Sequence, residues 1–512
     1  MSRPVRPLSW AYGVATMAVT KETMLRTTPS DRRLNHRRYA ATVRAQRIIE
    51  TATTDLIAFE QRHSPRIRSR READLRTLQV TIDAILSDLM HHHAIGGHGD
   101  LRVSRSKRMH EGGSRYRASI STKALPDILD RLASPELALI EQEIGTEGSF
   151  GGKGRQTTVR PGKPLKALMD EHEITANDFA LSPTGETIVL KRTRAHYWDR
   201  GGRVGYEDDD TTRHFRAEMA TINAWLQEAD LDYDASELEG VVPAPPDLDD
   251  RRLERVFNLE RFDRGGRLFG GFWQNMGAQR RLQSLFINGD HVVELDYGQM
   301  TPRILYGHVG AEPPAGDLYA IPPFDKTPAQ RKGVKLVMNA MTFRPGELER
   351  MPKHGRDFIP KRHSIHEITD AIRVYHTPLA PLFGTGIGYW CQFVESEIMI
   401  DVLLTLKERG IVALPIHDAI LVADHRAPEA HRVLKEVFEA HVGLSPVITS
   451  DSVLARPSVV LNGEHVDPSA PSIGADMAAV AAPKAITGHA GDRERPSLRL
   501  PEESASGPLA GL

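Results

Sequence analysis

The sequence predicts an α+β protein, with a mostly helical first part ahead of a second part built on antiparallel strands. Three observations predict it. Apolar residues recur at helical spacing through residues 40–90, as Ile48, Ile49, Leu56, Ile57, Leu78, Ile82, Leu86 and Leu89. A strand-forming run, Val292, Val293 and Leu295, is ended by Gly298 and Pro302. Two short apolar strands over residues 411–424 flank His417-Asp418, which reads as a hairpin with both residues near its tip.

Each element follows from local chemistry. The first ordered structure is expected to be an Arg-rich helix over about residues 37–60. His91, His92, His93 and His98 cluster around a Gly-Gly interruption. Adjacent histidines cannot all face one ion, so a loop is expected there rather than a metal site. Residues 145–165, rich in Gly, Lys and Arg, read as a flexible loop, followed by a strand at 187–191 and a helix at 215–227. Prolines within 241–246 mark a boundary. The residues from Phe393 onward read as an amphipathic helix capped by Gly410. The expected organisation is a flexible N-terminus (1–30), a mostly helical, thumb-like region (31–240), a catalytic region (241–462) and a disordered tail (463–512).

Composition sets the outer limits. With 512 residues the chain is long enough for roughly three domains. Cys391 is the sole cysteine, which excludes a disulfide scaffold. No run approaches the ~18 apolar residues of a membrane span, so no membrane partner is expected. The short apolar stretch 8–19 is diluted by Trp10, Tyr12, Gly13 and Thr16. It reads as an unexported terminus, which places the chain in the cytoplasm. Lys+Arg total 66 and Asp+Glu 68, but this balance hides opposed blocks. Residues 1–76 carry 16 basic and 7 acidic side chains, residues 228–250 nine acidic and no basic, and residues 251–281 eight arginines against three acids. The basic blocks suit a phosphate-bearing partner or a solvated face. Oligomeric state stays open.

Three segments carry candidate chemistry. Asp296 stands at the end of the first strand, where a carboxylate costs desolvation unless a cation or hydrogen bonds compensate it. Taken alone, it is as readily a turn residue. Asp418, at the hairpin tip, offers a second carboxylate. Paired acids that hold two Mg²⁺ ions are what in-line phosphoryl or nucleotidyl transfer requires. The third segment is a helix begun by Thr327-Pro-Ala-Gln330, a capping box with proline at the first position. Arg331 and Lys335 share one face of it, with Asn339 a turn further on. Cations in the first turns oppose the helix dipole, which makes sense if an anion such as a triphosphate docks there.

Together these segments resemble the palm and fingers of family A (DNA polymerase I-like) polymerases, a fold shared with the phage single-subunit RNA polymerases. The family's D-Y-S-Q-I-E-L-R resembles Asp296-Tyr-Gly-Gln-Met-Thr-Pro-Arg303. Its R-x-x-x-K helix is similar to Arg331, Lys335 and Phe343, and its H-D-E to His417-Asp418-Ala419. Gly266-Arg-Leu268 and Trp273-Gln-Asn275 resemble the elements that track primer and template, and Gln392 stands where the family reads the minor groove. The resemblance covers residues 260–425. It implies a right-hand palm with an HD hairpin and reduced fingers. It also implies two Mg²⁺ ions on Asp296, Asp418 and the Tyr297 carbonyl, with His417 by the primer end. The nucleotide would be held by Arg331, Lys335, Asn339, Phe343 and Thr301, and primer–template by Arg267, Gln274, Asn275, Gln392 and Arg303. Thr301 replaces the glutamate that blocks a ribose 2′-OH, and Ala419 replaces the third acid.

The expected activity is therefore template-dependent nucleotidyl transfer, with DNA synthesis from dNTPs on primer–template DNA the leading reading. RNA or primase-like synthesis from NTPs, and a catalytically inactive nucleic-acid-binding homologue, are the alternatives. A metal-dependent phosphohydrolase would want further ligands on helices, whereas His417-Asp418 reads as a hairpin.

Overall fold

The computed structural model describes residues 31–105, 115–118, 120, 122–146, 154–193, 201–236, 238 and 244–452. Both the expected flexible N-terminus and the expected tail lie outside the described residues. The chain forms two compact units, one of residues up to 186 together with 235–250, the other of 187–234 together with residues from 251 onward. The division thus does not follow a single cut near residue 240. The proline-marked stretch returns to the first unit, and residues 187–234 belong with the second.

In the first unit the apolar spacing yields two long helices, Val43–His63 and Glu72–Ala94, which pack as a hairpin across the connection 64–71. Ile48, Ala52 and Leu56 on one and Leu78, Ile82, Ile85 and Leu89 on the other enter a common core. His91 and His92 extend the second helix as buried residues rather than starting a loop, because Leu89 and Met90 keep the helical register. The region is also less helical than expected. A sheet runs in the order β1 (Arg32–Arg33), β3 (Leu101–Val103), β5 (Thr157–Pro161), β4 (Ile140–Glu143), and β2 (Arg38–Ala40) pairs with β6 (Phe179–Leu181). Strand β5 replaces part of the loop expected at 145–165. Its β-branched Thr157-Thr-Val159 buries against the core, which outweighs the polar flanks.

Arg38 organises the polar interior of this unit. It is 1% exposed, and its guanidinium donates to Asp88 at 3.2 Å, Asp249 at 2.9 Å and both oxygens of Asp247 at 2.8 and 2.6 Å. The basic N-terminal block and the acidic boundary block therefore neutralise one another in part. His91, Asp247 and Asp249 form a group that could hold a metal ion, with candidate ligand atoms within 4.8 Å of one another. Arg38 already occupies both carboxylates, so the group stands as an ion-pair hub.

In the second unit β7 (Ile188–Leu190), β9 (Leu253–Phe257) and β10 (Gly265–Gly270) form one small sheet. The larger sheet runs β13 (Ala413–Ile416), β14 (Ala419–Ala423), β12 (Asp290–Gly298), β11 (Leu285–Ile287), β8 (Leu231–Tyr233), and β15 (Val447–Ser452) also pairs with β12. All its pairings are antiparallel. The helix Gly388–Glu408 packs against β10 and β13. It is not the amphipathic surface helix expected, because Trp390, Val394, Ile398, Met399, Val402, Leu403 and Leu406 bury it on nearly every side. Gly410 follows it with φ +64°, as the capping rule requires. No helix among the described residues is long and apolar enough to cross a membrane.

Replacing Arg38 by Ala strands Asp88 and Asp247 without their buried counter-charge. The expected cost is about 3–5 kcal/mol, read as a lowered midpoint of urea unfolding relative to wild type.

Candidate active site

The site is built on strand register. In the β12–β14 ladder Asp296 stands opposite Ala419, and the Tyr297 N–H donates to the Asp418 carbonyl at 3.1 Å. Ile416 pairs with Ala419, so His417-Asp418 is the two-residue turn of a tight hairpin. His417 has φ +57°, a left-handed conformation uncommon for a residue with a side chain, held here by the two flanking strands. The result is that Asp296 and Asp418 are neighbours on adjacent strand ends.

The two carboxylates feel each other. The Asp296 carboxyl is pushed up to about 7, first by burial and then by the Asp418 charge, with Lys335 acting in the opposite direction. Among the described residues, neither side-chain carboxylate has a hydrogen-bond or ion-pair partner. Glu294, two residues back on the same strand face, differs sharply, because Arg281 meets it at 2.8 Å. Two adjacent carboxylates without protein partners suit the oxygen-only ligand preference of a divalent cation such as Mg²⁺. The Tyr297 side chain is turned away, its hydroxyl donating to the Leu434 carbonyl at 2.6 Å, so the side chain itself does not face such an ion.

Lys335 belongs to the helix Pro328–Phe343, which Thr327 starts by accepting the Gln330 N–H at 3.2 Å. Arg331 and Lys335 both lie over the Tyr319 ring, 5.5 and 5.6 Å from its centroid. Arg331 is also paired with Asp317. Burial of Tyr319 raises its hydroxyl well above the usual range. The segment carrying these two residues is tied back to the end of β12, since Gln299 accepts the Leu318 N–H at 3.2 Å.

Arg267, on β10, interacts electrostatically with Asp418. Gly266, with φ +83°, lets β10 run so close to the helix Gly388–Glu408 that a Cβ there would stand 2.4 Å from the Ser396 hydroxyl. This approach sets Arg267 against Glu395 in a bidentate pair of 2.5 and 2.8 Å. Glu395 is 2% exposed, and burial lifts its carboxyl to about 7 although Arg267 opposes the shift. His417 is an exposed residue, yet desolvation lowers its pKa first and the Arg267 charge lowers it further, with Asp418 opposing. Phe269, exposed on the same face of β10 as Arg267, meets the His417 ring edge-on at 5.4 Å.

The remaining sequence candidates are placed differently. The Gln274 amide donates to the Leu268 and Pro415 carbonyls at 3.3 and 2.9 Å and accepts from the Gly270 N–H at 3.2 Å. It is spent on the protein's own backbone, because the turn after β10 folds back onto β13. Trp273 joins it at the Pro415 carbonyl, 2.9 Å away. Arg303 donates to the Ser445 carbonyl at 2.9 Å, and burial lowers its pKa. Phe343 meets Tyr389 edge-on at 5.2 Å. Asn275 is exposed, while Thr301, Asn339 and Gln392 are half-buried. The structure thus gathers Asp296, Asp418, His417, Lys335 and Arg267. Sequence reasoning missed Asp317, Tyr319, Phe269 and Glu395. Only Glu395 left a signal, as a lone carboxylate in the stripe of Cys391, Ile398 and Val402.

No protein-family model matches the chain, and no curated protein does. Among solved structures it is similar to the POL domain of Pol1 from M. smegmatis in complex with DNA primer-template and dNTP. The match has 12% identity and a TM-score of 0.27, and covers 78% of this chain and 71% of that one. So loose a superposition decides nothing about function.

A divalent ion held at the two carboxylates would have to displace the proton that burial holds on Asp296. Isothermal titration with Mn²⁺ in buffers of different ionisation enthalpy is expected to show proton release that is clear near pH 6 and absent near pH 8. Affinity should fall towards tenfold per pH unit below about 7.

Proposed function

We propose that the chain is a template-dependent nucleotidyltransferase, acting as a DNA-directed DNA polymerase on primer–template DNA with dNTPs and two Mg²⁺ ions. The observation that carries the reading is the pair Asp296–Asp418, without protein partners and with Lys335 acting on it from a neighbouring helix. A mere binding surface needs cations but has no use for two adjacent, costly carboxylates.

Asp296 and Asp418 would hold the ions, which when bound acidify the attacking hydroxyl and stabilise charge on the leaving oxygen. The chain's own side chains account for the rest. Lys335, exposed beside Asp296, presents its ammonium to the triphosphate, and Arg331 does so from one turn earlier with Asp317 steadying its guanidinium. His417 lies at the reacting strand end, and Glu395 orients Arg267 toward the same turn. The primer 3′-oxygen attacks the α-phosphorus, the bond to the bridging oxygen breaks, and pyrophosphate leaves in line. The family resemblance of the motifs supports the same assignment. Thr301 offers no long carboxylate against a ribose, so NTPs are the competing substrates.

Extension of a labelled primer in Mg²⁺ with dNTPs or NTPs tests both substrate classes. Asp296→Ala and Asp418→Ala are each expected to lower the rate by about 10³-fold or more, equal to several kcal/mol of lost transition-state stabilisation. Lys335→Ala should chiefly raise KM for the nucleotide. Wild-type rates in both aspartate variants would refute the proposal.

A further inference from the structure

The hairpin of helices Val43–His63 and Glu72–Ala94 turns at residues 64–71, and this turn concentrates cations. Residues 61–71 contain Arg62, Arg66, Arg68, Arg70 and Arg71 and no acidic residue. Counting the nearby Arg76, Arg131, Glu60, Glu72, Asp74 and Glu136 leaves seven arginines against four acids, so the surplus survives local pairing.

The turn is anchored from beneath. Nearly buried Glu60 receives Arg70 at 2.5 Å, Arg131, and Arg66 at 3.7 Å. Arg62 and His63 pair with Glu136 at the helix end. The Ser64 N–H donates to the Glu60 carbonyl at 2.8 Å. What remains points outward. The side chains of Arg68 and Arg71 are exposed and have no hydrogen-bond or ion-pair partner among the described residues, and Ile67 between Arg66 and Arg68 is fully exposed at 101%. Every cation of the turn is an arginine, whose planar fork matches phosphate oxygens in pairs. A solitary apolar residue among such cations fits between the walls of a nucleic-acid groove.

We infer that the 64–71 tip is a nucleic-acid contact surface, gripping backbone phosphates through Arg68 and Arg71 with Ile67 seated in the groove. It is a contact in the first unit, whereas the carboxylate pair belongs to the second.

Anisotropy of a fluorescein-labelled DNA duplex, titrated with the full chain in EDTA at about 50–200 mM salt, tests it. Arg68→Ala/Arg71→Ala is expected to flatten the log–log salt slope by about 2 and to weaken binding at low salt by tenfold or more. Ile67→Ala should weaken binding without altering the slope. Unchanged slope and affinity in the double variant would overturn the inference. So would arginine-dependent capture by phosphatidylserine vesicles without arginine-dependent duplex binding, which would make the tip a membrane contact. Because the assay contains no divalent ion or nucleotide, the two readings fail separately. Arginine-dependent binding by a chain that extends no primer would sink only the polymerase proposal, and extension with arginine-independent binding would sink only this one.

Discussion

The register of β12 between β14 and β15 is the constraint on which the site depends. Side chains alternate along a strand, so a slip of one residue would turn Asp296 to the opposite face and bring Leu295 to its place. Several features forbid the slip. Leu295 and Tyr297 are buried on one face, the Tyr297 hydroxyl is spent on the Leu434 carbonyl, and Glu294 is tied to Arg281. The Tyr297 N–H then ties the strand to Asp418 itself. Packing and pairing thus bear the desolvation cost of two neighbouring carboxylates that have no direct ion-pair partner among the described residues.

What was legible in the sequence was local. The strand ending at Gly298, the hairpin around His417-Asp418, the Thr327 helix start and the Gly410 stop each depend on chemistry within a few residues, and each is found in the structure. What was not legible depends on residues far apart in the chain. Arg267 read as a primer–template contact, and nothing near it in sequence reveals its pairing with Glu395, 128 residues on. Gln274 read as a nucleic-acid contact, and nothing near it in sequence reveals the hydrogen bond of its amide to the Pro415 carbonyl on another strand. The strands of the first unit span only two to five residues each, too few for a period-two pattern to emerge from the surrounding polar sequence.

Charge shows the same division between local and distant. The opposed blocks of the sequence are partly an internal matter, since Arg37 and Arg38 from the first meet Asp247, Asp249 and Asp250 from the second. Such pairing ties the stretch 244–250 to the first unit, and it explains why the acidic stretch is not simply a linker. The arginines of the 64–71 turn belong to the part of the basic block that this neutralisation does not reach.

The hold of Trp273 and Gln274 on the Pro415 carbonyl bears on more than the placing of a turn. β13 lies at the margin of its sheet, where an unpaired backbone could recruit a foreign strand. Proline brings no N–H to this margin, and the carbonyl beside it is already claimed twice. The strand that delivers His417 and Asp418 is therefore closed to further sheet growth at Pro415, which guards the chain against self-association next to its most chemically exposed turn.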